Sequence, residues 1–298
     1  MTFETFKNRV TAELIGRLPQ GTTITPRRVT KNNNLILDGI VINRDGQILS
    51  PTIYLNEYYT ACDKEHIPFD DLVADILSAY QNSVPKDVPD IRRLFDFDRI
   101  KDNVILRLVN REKNASLLEQ TPFVPFCDLA ITYLCLVDIH QENDGFISIR
   151  NEHLKKWGIT PKEMHALAKA NTLSKFPAVF QNIADLLPLA PLTDEPFIPR
   201  ASDLSFPMFV LSNSLRMHGA ACLLYDGLLF DIAKKLGGDL IILPSSIHEV
   251  LIIPASAATD TDALNHMICE VNATSVAIDE YLSDHVYFYS AETDEVTY

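Results

Sequence analysis

The chain has 298 residues, 47% of them hydrophobic, and a formal net charge of −14 at neutral pH, which is length for about two domains. Its apolar runs stop short of the ~20 residues that cross a bilayer, its start carries no secretory signal, and its five cysteines form no CxxC pair, so membrane, disulfide-rich and zinc-knuckle classes are set aside in favour of a cytoplasmic protein with reduced thiols. Residues 201–298 hold 3 Lys/Arg against 14 Asp/Glu, whereas residues 1–200 hold 23 against 26, a field that repels phosphate backbones and makes nucleic acid an unlikely partner.

Thr2 can cap a first helix in which Phe3, Phe6, Val10, Leu14 and Leu18 recur at helical spacing. Strands over 22–29 and 35–42 follow, turned by Lys31-Asn32-Asn33-Asn34, because asparagine tolerates positive φ. Pro26 makes the first of them an edge. A second tip at Arg44-Asp45-Gly46 leads into a strand over 48–55, giving a three-stranded meander. Phe69, Leu72, Val73, Ile76, Leu77 and Tyr80 then mark an amphipathic helix.

The apolar runs 104–109 and 124–137 predict strands of a second sheet. Ala130 to Val137 is also long enough for a buried helix, and periodicity does not separate the two. Asn143-Asp144-Gly145 turns the chain into 146–149. Asn151 opens a short helix closed by Gly158, and Thr160-Pro161-Lys162-Glu163 starts a longer one running to about Thr172. Five prolines between 187 and 207 interrupt regular structure, so the domains are expected at 1–187 and 208–298 with a proline-rich connection over 188–207.

The C-terminal part predicts strands at 208–211 and 220–225, a helix capped by Asp226 and ended by Gly237-Gly238, a hairpin over 239–254, a helix capped near Asp260, and a last strand at 285–289. That order, ββαββα with a closing strand, implies an antiparallel sheet with helices on one face. The expected fold class is α+β.

The loop Leu243-Pro244-Ser245-Ser246-Ile247-His248-Glu249-Val250 concentrates chemistry-bearing groups. Ser245, Ser246, His248 and Glu249 are the candidate catalytic residues of a hydrolase or metal-dependent enzyme. Strand alternation puts Ser246 and His248 on one face and Glu249 on the other, and the GxSxG elbow of a serine nucleophile is absent. A turn also explains the same residues, since Pro244 fixes φ and serines bond nearby backbone. HExxH is missing, but His218, His248, His266 and His285 lie in one predicted unit and are the candidate metal ligands. Neither GxxxxGK[ST] nor GxGxxG occurs, so no cofactor is expected. Arg27-Arg28 and Arg92-Arg93 read as solvated faces, and Trp157 as half-buried packing.

The segment 243–250, with Met208-Phe209-Val210-Leu211-Ser212-Asn213, Gly219-Ala220-Ala221, Gly237-Gly238-Asp239-Leu240 and Glu270-Val271-Asn272, resembles a family of uncharacterised bacterial proteins known only as a 5688-type domain of unknown function. The order of elements is loosely similar to that of a second uncharacterised bacterial family. The resemblance implies a bacterial cytoplasmic protein and a C-terminal unit over 201–298, and it implies no activity or site residue. The leading functional expectation is a non-enzymatic binding protein, meeting a protein partner with a basic surface through its acidic C-terminal part. The alternatives are the enzyme centred on the 243–250 loop and an accessory subunit of a larger assembly.

Overall fold

A computed structural model describes residues 1–44, 50–83, 96–138, 144–186, 207–257 and 261–298, and the chain divides into two units, Met1–Asp90 and Ile91–Tyr298. The first begins with α1 (Phe3–Arg17), where the Thr2 hydroxyl accepts the Thr5 N–H and relieves one of the unpaired donors of the first turn. Strands β1 (Thr22–Thr30), β2 (Ile36–Arg44) and β3 (Thr52–Tyr54) form the antiparallel meander in that order. The tip uses Asn33 and Asn34 at φ 57° and 56°, as its asparagines foretell, and Pro26 lies on the edge strand. The second expected tip, at Asp45 and Gly46, lies outside the described residues. A short helix that the hydropathy pattern does not reveal, α2 (Asn56–Asp63), precedes α3 (Phe69–Ser83). Phe6, Val10 and Leu14 of α1 and Leu72, Val73, Ile76 and Tyr80 of α3 close over Ile40, Ile42 and Ile53 of the sheet. Each helix thereby buries its apolar stripe on one face of the meander.

The second unit contains α4 (Phe97–Ile100), β4 (Val104–Asn110), α5 (Ala115–Leu118), β5 (Val124–Phe126), β6 (Leu129–Asp138) and β7 (Asp144–Ser148). β6 is a strand, which resolves the helix-or-strand ambiguity of 130–137. It pairs β4 along one edge and β5 and then β7 along the other. Helices α6 (Asn151–Trp157), ended by Gly158 at φ 68°, and α7 (Pro161–Lys175) follow. A capping box between Thr160 and Glu163 opens α7. The Thr172 hydroxyl of α7 accepts the Leu106 N–H at 2.8 Å, supplying the outer edge of β4 with a buried partner.

A six-stranded antiparallel sheet completes the unit from β8 (Ala178–Asn182), β9 (Phe209–Asn213), β10 (Leu240–Leu243), β11 (Val250–Pro254), β12 (Tyr287–Ser290) and β13 (Glu295–Thr297), in the order β13-β12-β10-β11-β9-β8. Its helices are α8 (Leu228–Leu236) and α9 (Thr261–Ser275). The class is α+β, with three details changed from the expectation.

Residues 219–224 are a buried 3₁₀ turn rather than a strand. The place beside β9 is taken by β11, and the Ala220 N–H goes to the Ile247 carbonyl instead of a neighbouring strand. The α8 cap is Gly227 at φ 71°, and Asp226, one residue earlier, pairs with Lys169 instead. The helices also cover opposite faces of the sheet. Leu229 and Ile232 of α8 pack with Leu240, Ile242 and Ile252, while Leu264 and Ile268 of α9 pack with Ile241, Leu243 and Ile253, the alternate residues of the same strands.

The proline-rich stretch expected to separate two domains falls almost wholly outside the described residues. β8 before it and β9 after it nevertheless pair from Ala178↔Asn213 to Asn182↔Phe209, so the flanks of 188–207 share one sheet. The division of the chain falls between Asp90 and Ile91.

Candidate functional site

The 243–250 loop is held as an extended segment along residues 280–283. Ile247 N–H donates to the Glu280 carbonyl at 2.8 Å, while Leu282 and Ser283 N–H donate to the Ser245 and Pro244 carbonyls, each at 2.9 Å. Ser245 and Ser246 are 8% and 7% exposed, which puts them in the wall of the fold and not on a cleft. The Ser246 hydroxyl accepts the His248 backbone N–H at 3.0 Å, a local serine turn. The Ser212 hydroxyl donates to the His248 carbonyl at 2.8 Å from β9. Gly219 fits between these groups only because it has no side chain. A Cβ there would collide with the Ser212 hydroxyl and the His248 carbonyl oxygen and lie 2.8 Å from the Asn213 nitrogen.

The His248 ring accepts the His218 backbone N–H on Nδ1 at 3.3 Å, and its Nε2 lies 3.6 Å from the half-exposed Glu280 carboxylate. Neither Ser245 nor Ser246 is bonded to the imidazole. With Nδ1 occupied and Nε2 turned to Glu280, the ring has no lone pair directed at a serine, and the expected Ser–His arrangement is not assembled. Glu249 points away from His248, as alternation implies. It lines a shallow recess of about 180 Å³ with Ser212, Asn213 and Arg216.

Of the four candidate metal ligands, only His218 and His248 meet, stacked with ring centroids 5.7 Å apart. His266 is on the exposed side of α9, and the exposed His285 ring lies 5.7 Å from that of Tyr298. Among the described residues no group of three or more His, Cys, Asp or Glu is placed to hold a metal ion. Burial, reinforced by the charges of Arg107 and His248, pushes His218 down to about 3, so its ring is neutral at pH 7.

Two sets of polar residues escaped the sequence reading. Arg107 stands in the middle of the apolar strand β4, where a lone charge in an otherwise apolar run was the available signal. The other set lines a cleft of about 240 Å³ between α7, the β5–β6 hairpin, the 219–227 turn and the β12–β13 hairpin. Phe126, Ile131, Leu223 and Leu229 form its apolar floor. At its rim Lys169 pairs with Asp226 at 2.5 Å, and Tyr289 donates to Asp294 at 2.6 Å. His165 Nδ1 lies 3.2 Å from the Tyr133 hydroxyl, whose own ionisation burial pushes up to about 12. That phenol therefore keeps its proton. Burial and then Lys169 lower the His165 imidazole from its ordinary value. His165 and Lys169 share a face of α7 at i and i+4, and nothing in α7 alone foretells the strands that meet them.

These elements define an α+β protein whose 243–250 loop is hydrogen-bonded along residues 280–283. A family model described as "Family of unknown function (DUF5688)" matches residues 3–291, and the chain belongs to that family. No curated protein and no solved structure matches it. No helix among the described residues is long and apolar enough to cross a membrane.

Proposed function

We propose that this chain is a non-enzymatic binding protein of the bacterial cytoplasm that receives an apolar side chain, flanked by basic residues, from a protein partner. The observation that carries this reading is the cleft between α7, the β5–β6 hairpin, the 219–227 turn and the β12–β13 hairpin, with apolar residues beside the exposed carboxylates of Asp226 and Asp294. A volume of about 240 Å³ is below the ~300–1,000 Å³ of typical small-molecule sites and suits one anchoring side chain. The excess of 14 acids over 3 bases in residues 201–298 supports a basic partner through steering and register. The free thiols of all five cysteines are in keeping with a reducing compartment. A hydrolase centred on Ser245, Ser246, His248 and Glu249 draws less support, since the Ser246 hydroxyl and the His248 Nδ1 accept backbone N–H groups and neither serine is bonded to the imidazole.

Two short peptides test this, one with a Leu or Phe flanked by Lys and Arg, the other with the same residue flanked by Glu. Titrated into isotope-labelled full-length protein, the basic peptide is expected to shift amide resonances of Lys169, Gly227 and Asp294. The response should weaken with salt and vanish in Asp226→Lys/Asp294→Lys. Equal responses to both peptides, or none to either, would rule the reading out.

A further inference from the structure

Helix α7 contributes His165 and Lys169 to the wall of the cleft, one turn apart on the same face. Tyr133 of β6, 1% exposed, meets the His165 ring edge-on, and its hydroxyl lies 3.2 Å from Nδ1. A core residue thus fixes the imidazole from behind. The other ring nitrogen, Nε2, has no partner among the described residues, and protein does not close over it.

The remaining polar side chains of the wall are already engaged. Lys169 pairs with Asp226, Tyr289 donates to Asp294, and Tyr225 donates to the Phe176 carbonyl at 2.7 Å. What enters the cleft therefore meets two kinds of surface. Phe126, Ile131, Leu223 and Leu229 offer apolar contact, and the His165 imidazole offers one open hydrogen-bonding position.

We infer that the side chain received by this cleft is a tyrosine of the partner, with its ring on the apolar residues and its hydroxyl bonded to His165 Nε2; this rests on the binding function proposed above and narrows the anchor it takes. A leucine or phenylalanine would displace water from Nε2 and leave that nitrogen unpaired, which is costly. A phenol hydroxyl both donates and accepts, so it satisfies Nε2 whether the imidazole proton is there or on Nδ1. An indole N–H only donates and suits one of the two forms. A serine or threonine hydroxyl lacks the apolar body that the floor of the cleft would cover. Tyrosine joins a large apolar body to a polar tip and loses little conformational freedom on binding. His165 is in this way the specificity-determining residue, and Tyr133 is a positioning residue that acts through it.

The test uses two peptides that differ only at the centre, Tyr in one and Phe in the other, each flanked by Lys and Arg. They are titrated into isotope-labelled full-length protein, with the amides of Lys169, Gly227 and Asp294 as reporters. Both should bind, the tyrosine peptide about tenfold more tightly, as one additional hydrogen bond in a partly buried site allows. In His165→Leu the two affinities should become equal, with that of the phenylalanine peptide kept or raised. Tyr133→Phe should shrink the preference severalfold while the phenylalanine peptide binds as before, a change of ratio that a loss of stability alone would not produce. Equal binding of the two peptides to the wild-type chain overturns the inference and leaves the proposed function in place. A preference for tyrosine that is unchanged in folded His165→Leu or Tyr133→Phe also overturns it. Failure of both peptides to bind the wild type removes the proposed function and the inference together.

Discussion

Replacing Gly219 with alanine tests how the 243–250 loop is held. The added Cβ would overlap the Ser212 hydroxyl and the His248 carbonyl oxygen and come within 2.8 Å of the Asn213 nitrogen. Two of those three atoms are backbone, Asn213 at the end of the β8–β9 pairing and His248 two residues before β11, and cannot rotate aside as a side chain would. The third donates the hydrogen bond from Ser212 to His248, which would have to break. Overpacking costs about 1–3 kcal/mol and a lost buried hydrogen bond about 1 kcal/mol, so about 3 kcal/mol is expected in all. For a unit of this size that lowers the thermal midpoint by roughly 6–12 °C. The chain's single tryptophan, Trp157, lies in the same unit, so its fluorescence during thermal or urea unfolding reads the effect directly. A change below about 1 kcal/mol would mean that the loop can move off Gly219, and the tight seating described above would be wrong.

Gly16→Ala is the converse case, since nothing lies within 4 Å of the added carbon on α1; it should stabilise that helix by up to about 1 kcal/mol, seen as slower amide exchange across α1. Thr172→Val leaves the Leu106 N–H buried without its acceptor and should cost about 1–3 kcal/mol in urea unfolding, whereas Thr172→Ser should recover most of it. His218 gives the second unit a pH dependence of definite sign. Its folded pKa of about 3 lies below the unfolded value of 6.5, so its contribution is full above pH 6.5 and is lost as the pH falls toward 3. Between pH 6.5 and 4.5 the wild type should lose about 2–3 kcal/mol that His218→Gln does not, and parallel pH profiles of the two proteins would contradict the assignment.

Elements whose signal is local were legible in the sequence. The periodicity of Phe6, Val10 and Leu14, the asparagine tip at 32–34, the capping box Thr160–Glu163 and the terminating Gly158 each involve residues a few positions apart, and each appears where the pattern puts it. The run Ala220 to Tyr225 was not legible, because a short apolar stretch fits a buried strand and a buried 3₁₀ turn equally well. Its choice was made by the Ile247 carbonyl, which takes the Ala220 N–H, and by β11, which fills the sheet position beside β9. The four histidines show the same limit, since shared membership of one unit does not say on which face of its sheet each residue lies.

The sequence by itself determined the α+β class, most helices and strands, and the acidity of the last third, because periodicity, turn chemistry and charge are properties of neighbouring residues. Only the tertiary structure decided that the 243–250 loop lies along residues 280–283, that α8 and α9 take opposite faces, and that Arg107 is enclosed on the face of β4 opposite the main core. Those outcomes depend on which distant segments compete for the same donors and the same apolar surface.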